Sequence, residues 1–156
     1  MWTSGSRFGR SWSSKVKLMQ APGFEELLND PTVKLALEQA WTDSKPDDPT
    51  HRHEEGGWVY VNMITGSIFV RRAPAGGKAT LDVNSPPLIV DSVVVATFHT
   101  HPNPSAEGWN PGPSDADTIS AWALGVPCLI RADDGIHATG PDSRRGGLLG
   151  GPGYPP

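Results

Sequence analysis

The chain has 156 residues, 18 glycines, 16 prolines, a net charge of −4 and one cysteine. That length allows one domain and excludes a (β/α)₈ barrel, which needs about 200 residues or more. The negative charge argues against a general nucleic-acid binder, no apolar run approaches the ~18 residues of a membrane span, and Cys128 alone can build neither an internal disulfide nor a zinc site on paired cysteines. A metal site here would have to rest on His, Asp and Glu.

Residues 1–23 hold four cations (Arg7, Arg10, Lys15, Lys17) and no acid, and read as a flexible basic arm through which a partner could bind. The start has no apolar h-region of a secretory signal, so a cytoplasmic setting is expected. Residues 24–57 reverse the charge, with nine acids against three bases. Phe24, Leu27 and Leu28 fit one helical turn. Asp30-Pro31 then reads as an N-cap followed by proline at N1, and Val33, Leu37, Ala40 and Trp41 form one apolar stripe, with Trp41 expected in the core. A polar, proline-broken linker follows over residues 42–53.

Strands come next. Residues 57–73 predict a hairpin turning near Thr65-Gly66, with Trp58 in the core, and Lys78–Val83 a short third strand. The β-branched run Asp91–His99 predicts a strand buried on both faces. After a loop from Pro102 to Pro113, Ser114 to Leu124 reads as a helix with Trp122 packed inward. Residues 128–140 read as a second hairpin turning at Asp134-Gly135, with Cys128 a core residue without a histidine partner and His137 an ordinary hairpin residue. The expected fold class is α/β (α+β): a small mixed β-sheet flanked by helices, occupying residues 24–142. Residues 143–156 form a Gly/Pro-rich tail.

His99-Thr100-His101-Pro102 carries the most chemistry. Residues i and i+2 of a strand point to one side, so two imidazoles at a strand end supply two legs of a tetrahedral zinc site. Ser114-Asp115-Ala116-Asp117 offers a third ligand where the loop enters the next helix, although Ser-x-x-Asp is also a capping box. Hydrolysis further needs a carboxylate to move the proton of water, and Glu54 and Glu55 both qualify. His51 and His53 form a second H-x-H, but in polar linker. A metallo-β-lactamase-type site wants H-x-H-x-D, and position 103 is Asn; zinc deaminases need a paired-cysteine run that is absent.

The sequence HTHP…SDAD with an upstream Glu-x-Gly-Gly resembles the JAMM metallopeptidases, the MPN/JAB-type metalloenzymes, over about Phe24 to Asp142. The resemblance implies an MPN/JAB-like fold of three layers, as in cytidine deaminases. It implies zinc held by His99, His101 and Asp117, Glu54 as general base, and Ser114 as a donor to the oxyanion. It implies hydrolysis of an amide on a protein or peptide substrate, after a C-terminal glycine and including ubiquitin-like modifiers. The chain departs from the family in the twelve residues between His101 and Ser114, an extended loop holding Glu107 and Trp109, with Trp109 a candidate substrate contact. The alternatives are a non-catalytic MPN-type interaction module and a small-molecule amidase on the same metal. The Gly-Gly pairs of the tail suggest an autoinhibitory or self-processed segment.

Overall fold

In a computed structural model, the described residues are 21–142. The tail expected over 143–156, and the arm expected over 1–23 except its last three residues, lie outside them. Two helices come first, α1 (Phe24–Asn29) and α2 (Pro31–Asp43). Strands β1 (Gly56–Asn62), β2 (Ile68–Arg72) and β3 (Ser92–His101) follow, then helix α3 (Asp115–Leu124) and strands β4 (Cys128–Ala132) and β5 (Gly135–Thr139). The strands form one five-stranded sheet in the order β2-β1-β3-β4-β5, antiparallel except for the β3–β4 pair. A mixed α/β domain is therefore what the sequence folds into.

Side-chain alternation divides the sheet into two faces. One face presents Val59, Phe98, Leu129 and Ala138 to the inward stripes of α1 and α2, where Phe24, Leu27, Val33, Leu37 and Ala40 are all essentially inaccessible to solvent. Helix α2 starts as expected: the Asp30 carboxylate accepts from the amides of Thr32 (2.9 Å) and Val33 (3.1 Å), with proline at the next position. On the opposite face, α3 covers Cys128 and Ile130 through Ala121. Trp58 and Tyr60 pack there against Ala73 and Val83.

Several sequence expectations need correction. Trp41 is not core: it lies half-buried at the end of its stripe, with the Arg131 guanidinium 4.7 Å from its ring. Trp122 is exposed, because Ala121 is the inward residue of α3 and the next position turns about 100° away from the sheet. Lys78–Val83 is not a strand. Its neighbourhood is held by side chains instead, with the Trp58 indole N–H donating to the Val83 carbonyl (2.9 Å) and Tyr60 to Pro87 (2.7 Å). Strand β3 is buried on both faces only in its second half, and runs on through His101. The β4–β5 turn is Asp133-Asp134, one residue early, because Ala132 pairs with Gly135, whose φ of 129° suits glycine. The β1–β2 hairpin turns at the expected place, where Gly66 has φ of 73°. Among the described residues, no helix is long and apolar enough to cross a membrane.

Candidate metal centre

Strand β3 delivers both histidines to one face at its C-terminal end. His99 Nε2 and His101 Nε2 lie 3.1 Å apart. Asp117, in the first turn of α3, closes the group, with Oδ1 3.2 Å from His99 Nε2 and Oδ2 3.4 Å from His101 Nε2. One ligand atom from each residue lies within 4.8 Å of the others, a set that could hold a metal ion. His51 and His53 belong to no such group among the described residues. His51 pairs with Asp48 and His53 with Glu55.

The outer ring nitrogens orient the pair. His101 Nδ1 lies 3.2 Å from the Pro111 carbonyl, which can only accept; the proton therefore sits on Nδ1, and the Nε2 lone pair faces the centre. His99 Nδ1 contacts Cys128 Sγ at 3.4 Å. Cys128 is core as expected, yet it does have a histidine partner. The parallel pairing of Thr97 with Cys128 brings β4 alongside β3, and no local sequence pattern reports that register.

Asp117 is fixed by the start of α3. Ser114 is the N-cap: its Oγ accepts from the Asp117 amide (3.1 Å), and its own amide donates to Asp117 Oδ2 (2.7 Å). The capping box of Ser-x-x-Asp is thus present, and it keeps Asp117 within the group that could hold a metal ion. Burial raises the Asp117 pKa, but His101, His99 and the Ser114 amide outweigh it and hold the carboxyl well below the usual range. Burial works against a charge on His99 as well; Cys128 and Asp117 overcome it and push that imidazole up.

The two candidate glutamates separate. Glu54 is 6% exposed and lines a cavity of about 380 Å³ together with His101, Ser114 and Asp117. Its carboxylate makes no hydrogen bond among the described residues, and burial pushes its pKa up against the pull of His99 and His101. Its backbone is clamped, donating to Gly77 and accepting from Gly76, each at 2.8 Å. Glu55 turns elsewhere, bound by Arg72 (2.5 Å) and His53 (2.8 Å). Glycine at position 56 is obligatory for this approach, since a Cβ there would run into the Phe98 carbonyl and come within 2.8 Å of the His99 Cα.

The loop between His101 and Ser114 contributes Asn103, Trp109, Asn110 and Gly112 to the cavity lining. Trp109, 40% exposed, and Leu81 both line the cavity. Glu107 is tied to Arg52 by two contacts (2.8 and 3.2 Å), and Ser105 binds the Asp133 carboxylate through its amide and hydroxyl. No protein-family model, curated protein or solved structure matches the chain.

Proposed function

We propose that this protein is a zinc-dependent peptidase or isopeptidase of JAMM type, hydrolysing a peptide or protein amide bond. The observation that carries the reading is the His99–His101–Asp117 group, two of whose members, His101 and Asp117, share a cavity with the buried, unpaired Glu54.

The donor set suits zinc. Ligand atoms about 2.0–2.1 Å from a tetrahedral ion lie about 3.3 Å from one another; here the two Nε2 atoms are 3.1 Å apart, with Asp117 Oδ1 3.2 Å from His99 and Asp117 Oδ2 3.4 Å from His101. Two imidazole nitrogens and a carboxylate at that spacing could hold a metal ion between them. Bound zinc would supply Lewis-acid polarisation and acidify water toward a pKa of about 7.

The chain's own groups do the rest. A Glu54 Oε takes a proton from water in the cavity, then delivers it to the departing amine nitrogen. Burial suits both roles, because it brings the carboxyl nearer to neutrality, where it can accept and then give. Ser114 Oγ accepts from the Asp117 amide and keeps its own O–H to donate to the oxyanion that forms at the attacked carbonyl. Asp117 stays ionised throughout, as its lowered pKa requires.

Metal content and peptide hydrolysis of the purified protein test the reading. The expected result is one zinc per chain, lost in Asp117→Ala, and hydrolysis that chelation abolishes and zinc restores. Retention of stoichiometric zinc by Asp117→Ala, or hydrolysis indifferent to chelation, overturns it.

A further inference from the structure

The cavity beside Glu54 is larger than the reaction centre needs. Its lining includes the polar Glu54, His101, Ser114 and Asp117, and also an apolar part, or wall, of Leu81 and the half-exposed ring of Trp109. Two of the polar side chains in that lining are already turned to the protein's own backbone. Asn103 donates to the Lys78 carbonyl (2.8 Å), while its oxygen is sealed from solvent. The Asn110 oxygen accepts from the Gly112 amide (2.9 Å). What remains facing a ligand there is largely hydrocarbon.

An exposed tryptophan on a loop ordinarily loses affinity to the cost of ordering it. Trp109 is ordered in advance. Lys78 Nζ lies 5.7 Å from its ring centroid, and the loop on either side is held by the Asn103, Ser105, Glu107 and Pro111 contacts. A fixed aromatic ring over a concave site is the usual form of a binding anchor.

We infer that the Leu81–Trp109 wall is a side-chain subsite selecting a bulky apolar residue, branched or aromatic, on one side of the scissile amide. The inference rests on the hydrolase reading for its placement next to a scissile bond. Glycine on the other side of that bond remains compatible with it; glycine on both sides leaves the wall in contact with water.

Two peptide series test this, Ac-Ala-X-Gly-Ala-NH₂ and Ac-Ala-Gly-X-Ala-NH₂, with X as Gly, Leu, Phe or Glu. Binding to the zinc-loaded Glu54→Gln protein is measured by calorimetry, and hydrolysis by the wild type is measured in parallel. In one series, Leu and Phe should bind about tenfold or more tightly than Gly. Adding Trp109→Ala should remove that preference without changing zinc content, and Trp109→Phe should keep most of it. Equal binding of Gly and Leu peptides in both series, no binding of any peptide, or a preference that survives Trp109→Ala overturns the subsite. A preference in binding without hydrolysis by the wild type leaves the subsite standing and overturns the proposed function instead.

Discussion

Glu54 and Glu55 are neighbours in the chain that belong to different charge systems. Glu54 faces the cavity and the His99–His101–Asp117 group without a hydrogen bond of its own, while Glu55 is gripped by Arg72 and His53. Their neutral isosteres should therefore act in opposite directions. Burial makes the charged form of Glu54 costly in the folded state, and the unfolded chain bears no such cost. At neutral pH Glu54→Gln should raise the stability of the metal-free protein while lowering hydrolysis by about 10²–10⁴-fold. Glu55→Gln weakens charged hydrogen bonds and should destabilise by about 1–3 kcal/mol, with far less effect on turnover. Thermal melts and peptide hydrolysis of both variants decide the matter, and a stabilising Glu55→Gln would reverse the assignment.

Ser114 holds two roles that substitution can separate. Ser114→Ala removes the cap on α3 and should cost about 1 kcal/mol. Ser114→Gly is a tolerable N-cap, losing only a few tenths of a kcal/mol, yet like alanine it cannot donate to an oxyanion. Both should lose about 10²–10³ in kcat. If Ser114→Gly recovers activity along with stability, the serine acts as a cap alone.

Much of this site could be read from the chain because it is built from local patterns. The i, i+2 spacing of His99 and His101, the Asp30 and Ser114 caps and the β1–β2 turn each depend on a few consecutive residues, and each stands where expected. What escaped depends on pairing at long range. Cys128 meets His99 only because β4 lies parallel to β3, and Arg52 meets Glu107 across 55 positions. Trp41 and Trp122 differ for other reasons: a hydrophobic stripe does not say where along it burial stops, and Trp122 stands one position, about 100°, away from the inward Ala121. Lys78–Val83 has the composition of a strand, but its surroundings are held by indole and phenol donors in place of a neighbouring strand.

Gly56 couples the sheet to the metal strand. It pairs with His99 across β1 and β3, and any Cβ there would press on the Phe98 carbonyl and the His99 backbone. Gly56→Ala should therefore destabilise the fold by about 2–4 kcal/mol through overpacking and shift the His99 ring as well. Calorimetric melting together with zinc affinity by chelator competition measures both. Unchanged values would mean that β1 and β3 separate freely at this point.

His53 supplies the pH dependence. The His51 carbonyl, which accepts from its Nδ1, and the Glu55 carboxylate outweigh burial and the nearby Lys45, and raise its pKa above the ordinary value of 6.5. A raised imidazole pKa means that the fold prefers the protonated ring. This contribution is complete below about pH 6.5 and is lost as pH rises through the higher folded value. The stability difference between the wild type and His53→Gln should thus be largest in mildly acidic solution and shrink as the pH passes through neutrality. Denaturant titrations of the metal-free proteins at several pH values follow that difference directly, and the subtraction removes the other titrating groups common to both. A difference that grows with rising pH would mean that the fold favours the neutral ring, and that the His53–Glu55 contact is an ordinary neutral hydrogen bond.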